Sequence, residues 1–153
     1  MTSAHLPNTF VTKANLWSNP FTEDGMPHLS VHVLESDLAG QETALIRNLT
    51  DAVVAVYGEW ARSIAVVQLI GLPSGRWGIG GNPAEAASPS VTFGIREAAF
   101  SRPDADEIVA RLVSGVTDAI VDVLGERVRA GLTVELVGTP AGRTGIGGVV
   151  VTA

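Results

Sequence analysis

Arginine side chains are the residues of this sequence best suited to bind an anionic substrate. The 153 residues include nine arginines and a single lysine, Lys13. A guanidinium group donates two parallel hydrogen bonds to a carboxylate or an enolate, so it holds such a group in a fixed orientation. Four arginines that stand at the ends of predicted elements or before glycine-rich motifs could reach a pocket: Arg76, Arg96, Arg102 and Arg143. Arginines in such places also serve as surface ion pairs or solvated turn residues.

Other residue types offer less chemistry. His28 and His32 lie on the same face of the first predicted strand, but no carboxylate stands at a spacing that would complete a metal site, so we expect no metal. The sequence has no cysteine, which excludes disulfides and thiolate chemistry. The two Gly-Ile-Gly-Gly motifs lack the lysine and the following helix of a phosphate-binding loop. They predict a turn that leads into a short strand.

The composition narrows the classes of function. A formal charge of −6 with one lysine argues against a nucleic-acid partner. Hydrophobic residues make up 46% of the chain, but no apolar run approaches the roughly 20 residues that a membrane span needs. The first 25 residues lack the basic start and apolar stretch of a secretory signal. We therefore expect a cytoplasmic protein with no membrane partner, whose apolar surface suits an oligomer interface.

The chain contains two copies of one unit. Residues 49–59 read LTDAVVAVYGE and residues 116–126 read VTDAIVDVLGE, while residues 77–81 read WGIGG and residues 144–148 read TGIGG. Both pairs keep a spacing of 67 residues, since 116 − 49 and 144 − 77 agree. Two separate motifs in one register indicate an internal repeat. Each copy of roughly 60 to 70 residues would be marginal alone, so the two are expected to share one core.

Each copy has the pattern of a βαβ unit. Residues 28–33 alternate between apolar and polar side chains, as in a strand with one buried face, and residues 40–58 have helical spacing. The run over residues 64–70, apolar except for Gln68, predicts a strand covered on both faces. The second copy repeats the order, with a strand from Pro89, a helix that opens at residues 101–103, a strand at residues 132–137 and a short closing strand at residues 148–152.

These patterns predict the organisation of the chain. Residues 1–26 form an N-terminal extension, residues 27–81 the first βαβ unit, residues 82–88 a linker, and residues 89–153 the second βαβ unit. Residues 27–153 are expected to form one domain.

Three segments together resemble oxalocrotonate tautomerase, of the tautomerase superfamily: residues 27–35 (PHLSVHVLE), residues 41–47 (QETALIR) and residues 77–81 (WGIGG). The tandem arrangement resembles the fused members of that superfamily, which include cis-chloroacrylate dehalogenase and malonate semialdehyde decarboxylase. The resemblance implies an α+β fold in which two βαβ units form a four-stranded sheet backed by two helices. It also implies a homotrimer that acts on a small carbonyl or enol substrate without a cofactor or a metal.

The chemistry of that superfamily depends on an amino-terminal proline. A terminal α-amino group titrates at roughly 7.7 to 8.0, so near neutral pH it can move a proton between carbon and oxygen of a keto–enol pair. Pro27 follows Met26 here, but inside the chain. With residues 1–26 attached, the Pro27 nitrogen is a tertiary amide without a usable lone pair. Removal of that segment and its retention are both left open by the sequence.

Other superfamily residues have changed. Asp37 and Ala65 replace the two arginines that the resemblance would place in the first copy, so a dicarboxylate is a poor substrate candidate. The aromatic residue before the first glycine motif is kept as Trp77, which would either wall an apolar pocket or pack under the glycine turn. Arg96 matches the substrate-binding arginine of the fused dehalogenases, and Arg102 resembles the corresponding loop of the decarboxylase.

The candidate site consists of Pro27, provided that it becomes amino-terminal, and Arg96 as catalytic residues. The candidate substrate-binding residues are Arg102, Trp77, His28 and Arg76.

Two functions remain open. The first is an enzyme that transfers a proton within a carbonyl or enol substrate, as a tautomerase or isomerase does, or that catalyses a proline-independent cyclisation or rearrangement if the extension is retained. The second is a catalytically inactive trimeric binding or interaction protein. The lost arginines of the first copy and the blocked proline nitrogen motivate that alternative.

Overall fold

The computed structural model of the protein describes residues 26–152, so the predicted extension over residues 1–26 lies outside the described residues except for Met26. The strands are β1 His28–Leu34, β2 Val66–Leu72, β3 Gly78–Ile79, β4 Asn82–Pro83, β5 Ser90–Arg96, β6 Thr133–Thr139, β7 Thr144–Ile146 and β8 Val149–Val151. The α-helices are α1 Glu35–Leu38, α2 Glu42–Tyr57 and α3 Ala105–Leu124. Short 3-10 helices span Glu59–Ser63, Glu97–Ser101 and Glu126–Gly131.

The four long strands form one sheet in the order β2-β1-β5-β6. Within each copy the two strands run parallel, and α2 and α3 supply the crossover connections that parallel pairing requires. The glycine motifs form two small hairpins, β3–β4 and β7–β8. The predicted α+β fold, with two βαβ units in a four-stranded sheet backed by helices, is confirmed.

The two copies meet through their first strands, β1 and β5, which pair antiparallel. His28 lies opposite Gly94, and His32 lies opposite Ser90. The amino-terminal end of β1 therefore lies beside the carboxyl-terminal end of β5, and the reverse holds at the other end of the pair. This pairing decides which residues of the two copies meet.

The core lies between the sheet and the two long helices. Leu29, Val31 and Val33 of β1 are at most 1% exposed, because the alternation of the strand turns them toward the helices. One cluster holds buried side chains of both copies, and its least exposed large members are Phe93, Leu29, Leu45, Leu49, Leu112, Ile120, Val31, Val33, Val53, Val91, Val116 and Val128. The copies thus bury their apolar faces together.

An arginine network fastens the 3-10 helix to the long helix of each copy. Arg62 donates to the carboxylates of Asp51 and Glu59 at 2.8 and 2.6 Å. Arg129 repeats both contacts 67 residues later at the same distances. The hydrogen bond to Glu59, and after it the one to Asp51, raises the pKa of Arg62 above its usual value. Such exposed pairs add little stability individually, but their repetition shows that the two copies keep the same local structure.

Two expectations from the sequence are wrong. β2 is not covered on both faces within one chain, because it lies at the edge of the sheet and leaves Gln68 and Ile70 exposed on the face away from the helices. The second long helix begins at Ala105 and not at residues 101–103, because a 3-10 helix over Glu97–Ser101 and a turn precede it.

No helix between residues 26 and 152 has the combination of length and apolar character that would let it cross a membrane.

We predict that Gly138→Ala destabilises the fold by about 1–3 kcal/mol, because β6 passes close to the turn after β5. A Cβ atom at Gly138 would lie 2.8 Å from Cε2 of Phe100 and 3.0 Å from Cα of Glu97. The matched control is Gly115→Ala in α3, where the nearest atom would be Cβ of Ala52 at 3.8 Å. That change should leave the free energy of unfolding unchanged or raise it by up to about 1 kcal/mol. Urea denaturation measures both, and equal stability of the two variants would contradict the close approach.

Candidate functional site

A cavity of about 310 Å³ opens where the amino-terminal end of β1 meets the carboxyl-terminal end of β5. The hairpin of β7 and β8 forms part of its wall. Its lining consists of Met26, His28, Val66, Gly94, Ile95, Arg96, Thr139, Thr144, Gly145 and Ile146. Both copies contribute to it, so the cavity exists only because the copies pair antiparallel.

Arg96 supplies the positive charge of this cavity. It is the last residue of β5 and pairs with Thr139 of β6, which also lines the cavity. Its Nη1 atom is buried and has no hydrogen-bond partner within residues 26–152. A buried donor without a partner costs free energy, more so when it belongs to a charged group. An anionic oxygen that reached this atom would remove that cost.

His28 lines the same cavity from β1. Its Nε2 atom lies 3.1 Å from Oε1 of Gln68 on the neighbouring strand β2. The same Gln68 oxygen accepts a longer hydrogen bond, of 3.5 Å, from the hydroxyl of Ser30. The imidazole is therefore held from one side by an amide while it faces the cavity that contains Arg96.

Pro27 stands between two lining residues but does not line the cavity itself. Its side chain is buried, and its carbonyl oxygen accepts a 2.8 Å hydrogen bond from the backbone N–H of Val66. Met26 acylates its nitrogen in the chain as given. The structure thus brings Pro27, His28 and Arg96 to one end of the sheet, because Pro27 precedes β1, His28 begins it and Arg96 ends the paired strand β5.

Trp77 and Arg76 lie at the opposite end of the same strand pair. They line a second cavity, of about 360 Å³, together with His32, Leu72, Gly78 and Ser90. The parallel pairing of β1 with β2 sets the first glycine motif at the end of β1 away from Pro27, and the antiparallel pairing of β1 with β5 sets it beside the start of β5. Within one chain, Trp77 and Arg76 are therefore not brought together with Pro27, His28 and Arg96.

Arg102 takes no part in the lining of either cavity. Its Nε and Nη2 atoms donate to the two carboxylate oxygens of Asp104 at 3.0 and 3.1 Å. This hydrogen-bonded pair lowers the pKa of Asp104 below its usual value. Its substrate-binding role, expected from the resemblance, stays a prediction.

Sequence reasoning missed the part of the cavity that the second hairpin forms. Thr139, Thr144 and Ile146 carry no signal of their own, because threonine and isoleucine are ordinary strand residues. The signal that could have found them is the repeat itself. If the two first strands pair antiparallel, the second glycine motif must lie next to the start of the first strand.

A third and larger depression, of about 520 Å³, runs between α2 and α3 on the helical side of the molecule. Alanines, a glycine and exposed carboxylates such as Asp122 line most of it, and Arg111 is its cation. Arg111 donates a 3.1 Å hydrogen bond to the carbonyl oxygen of Ala55. Unlike the cavity at Arg96, this groove holds no buried polar atom that lacks a partner among residues 26–152.

The chain folds as two βαβ copies that share one sheet, with a cavity at each end of the paired first strands. No family model matches the sequence, and no curated protein matches it. Solved structures do match. The F6 fused 4-OT, an asymmetric trimer, has 26% sequence identity and a TM-score of 0.66 over 80% of this chain and 94% of its own. The R7 fused 4-OT, also an asymmetric trimer, has 25% identity with the same TM-score and coverage.

A third structure, of Pt0534 inactivated by 2-oxo-3-pentynoate, shares the fold with a TM-score of 0.63 at 20% identity. It covers 82% of this chain and 95% of its own. The resemblance to fused 4-oxalocrotonate tautomerases and related proteins of the tautomerase superfamily is therefore confirmed over most of the chain.

We predict that Arg102→Gln raises the pKa of the Asp104 carboxyl group toward its usual value, because the hydrogen bonds from Arg102 hold it down. A lowered pKa in the folded state means that this carboxylate stabilises the fold above its unfolded pKa, and that the effect disappears as the pH falls through the folded value. Carbon-13 NMR titration of Asp104 measures the change. Arg143→Gln is the control and should leave the titration unchanged, and an identical titration in both variants would contradict the pairing.

Proposed function

We propose that this protein is a small-molecule enzyme of the tautomerase type, which transfers a proton within a carbonyl or enol substrate that carries an anionic oxygen. The fold supports a tautomerase-like enzyme. The observation that carries the finer proposal is the Arg96 side chain, which lines a cavity and has a buried Nη1 atom without a protein partner among residues 26–152.

Arg96 would bind the carboxylate of the substrate or the oxygen that becomes negative as an enolate forms. A donor already fixed where charge develops lowers the barrier, because it need not reorganise during the reaction. Four apolar side chains line much of the remaining cavity: Met26, Val66, Ile95 and Ile146. This lining favours a substrate with one anionic end and one apolar end, such as an aryl or alkyl 2-oxo acid.

The two first-copy positions at which the superfamily has arginines offer no second cation for a diacid. Asp37 occupies the place of one superfamily arginine. Its Oδ1 atom forms an ion pair with Nη2 of Arg127 of the other copy, at 2.7 Å. Ala65, in the place of the other, packs against the core. The proposed substrate therefore carries one anionic group, which matches the one arginine among the described residues of the cavity lining.

Pro27 would be the proton-transfer group only in a chain that begins with it. Removal of residues 1–26 would convert its nitrogen from an amide into a secondary amine with a lone pair. Intact-mass analysis of the protein from its native host decides between the two forms. An amine at Pro27 should also react with 2-oxo-3-pentynoate, the compound that inactivates Pt0534, and gain the mass of the adduct.

A catalytically inactive binding protein is the second candidate function. The observation that favours it is the buried Pro27 side chain with an acylated nitrogen, which removes the superfamily's usual base from the cavity in the chain as given. Both functions use Arg96 to hold an anion. They differ in whether a bound enol is converted faster than in buffer.

We also infer a homotrimer. The fused F6 and R7 proteins were solved as trimers. Four large apolar side chains of the glycine hairpins are between 55 and 69% exposed in the single chain: Ile79, Ile146, Val149 and Val150. Apolar side chains concentrated on two hairpins are typical of a surface that another chain covers.

We predict that Arg96→Met lowers kcat/KM for ketonisation of phenylenolpyruvate on the order of 10- to 100-fold, since it removes a charged hydrogen-bond donor from the bound substrate. Stability to urea should stay the same or rise, because the buried and unsatisfied donor disappears with the arginine. Arg111→Met, which removes a cation on the helical side, is the matched control and should leave kcat/KM unchanged. A less stable Arg96→Met protein with full activity would assign Arg96 a structural role and overturn the proposal.

We predict that Val150→Glu dissociates the trimer, because it places a charge where an apolar contact between chains is inferred. Sedimentation velocity measures the mass. Ile46→Glu is the control, since Ile46 is 44% exposed on α2, away from the hairpins. A Val150→Glu protein that stays trimeric would place the interface elsewhere.

A further inference from the structure

We propose that His28 is the proton-transfer residue of the full-length chain and that Gln68 is the positioning residue that orients its imidazole. This inference rests on the proposed function, since it names the group that would carry out the reaction when residues 1–26 remain attached. It assigns to His28 a role beyond the substrate contact that the sequence suggests.

The first step of the argument is elimination among the groups that reach the cavity. The Pro27 nitrogen in the full-length chain carries an acyl group and cannot accept a proton. Of the described lining residues other than His28, the guanidinium group of Arg96 offers only donors, the threonine hydroxyls are very weak bases near neutral pH, and the remaining side chains are apolar or absent. Imidazole is the side chain that exchanges protons in this range, and His28 provides it.

The second step is the tautomer that the hydrogen bonds assign. Oε1 of Gln68, an amide oxygen that can only accept, lies 3.1 Å from Nε2 of His28 and also accepts a 3.5 Å hydrogen bond from the hydroxyl of Ser30. Nε2 must then carry the hydrogen and donate it, which leaves the lone pair on Nδ1. A histidine whose second nitrogen is held by a hydrogen bond has one defined basic atom, as a general base requires.

The third step is the position of the charge that the reaction creates. His28 and Arg96 lie on the same face of paired strands, because His28 is opposite Gly94 and Arg96 is two residues further along β5. Both contribute to one cavity. A substrate between them would therefore have a base and an anion-binding donor within the same enclosure.

The reaction balances without any further reactant. Nδ1 of His28 takes the proton of the enol O–H, and the electron pair of that bond becomes the oxygen charge of an enolate that Arg96 stabilises. The enolate electrons then form a C–H bond with the proton that the imidazolium returns to carbon. The C=C bond is lost, the C=O bond forms, and neutral His28 is restored.

The test uses the full-length protein, with its mass confirmed, and phenylenolpyruvate as the probe. His28→Ala should lower kcat on the order of 100-fold or more with a small change of KM, since general acid–base groups contribute about 10²–10⁴-fold. Added imidazole should restore part of kcat. His32→Ala removes the other histidine on the same face of β1, which lines the opposite cavity, and should change kcat less than twofold.

The positioning role of Gln68 is tested by a separate measurement. In Gln68→Leu the imidazole loses its partner, so nitrogen-15 NMR of His28 should change from one tautomer with the proton on Nε2 to a mixture. The value of kcat should fall while KM stays close to that of the unchanged protein. An identical tautomer signal in Gln68→Leu would overturn the positioning role.

The outcomes separate this inference from the proposed function. If Arg96→Met loses activity but His28→Ala keeps it, the proposed function stands and the role of His28 is wrong. A His28→Ala protein whose KM alone rises, or whose kcat imidazole does not restore, would assign His28 to binding or structure and also overturn the inference. If the full-length protein converts phenylenolpyruvate no faster than buffer, the proposed function fails and this inference fails with it.

Discussion

The antiparallel pairing of β1 with β5 is the constraint on which the rest of the structure depends. It is the only strand contact between the two copies within residues 26–152, and it joins two parallel pairs into one four-stranded sheet. Because of its direction, each copy's first strand begins where the other copy's first strand ends. The shared core follows from this arrangement, since both long helices then cover the same face of one sheet. Both end cavities follow from it as well.

The two ends of the strand pair have the same construction but different chemistry. Each is formed by the start of one first strand, the end of the other and a glycine hairpin. One end has a buried arginine nitrogen and a histidine held by an amide, whereas the other has Trp77, His32, the exposed Arg76 and a serine at the strand start. The internal repeat therefore explains why the two end cavities are built alike. Sequence differences between the copies explain why just one of these two cavities combines a buried arginine nitrogen with an imidazole.

The fold could be predicted from the sequence because its signals are local and repeated. Alternation in β1, helical spacing in α2 and the common register of two motifs need no knowledge of the partner segments, and they lead to the observed elements. The burial of β2 could not be predicted, since an apolar run does not reveal whether a strand is central or at an edge. The residues of the candidate site could be predicted from the sequence only in part. Arg96 could be singled out by residue type and position, but the separation of Trp77 from Pro27 and the contact of Gln68 with His28 depend on strand direction and register.

Fusion of the two copies also has an evolutionary consequence. In a dimer of identical single units, every substitution in the gene changes both ends of the strand pair at once, so a mutation that helps one cavity must also be tolerated in the other. In a fused chain, separate codons encode the residues at the two ends of the strand pair. Arg96, with its buried Nη1 atom, could therefore stand at the end of β5 while the matching position of β1 holds the buried Leu34. Covalent linkage thus freed each end to be selected independently, which makes the fold a favourable starting point for new specificity.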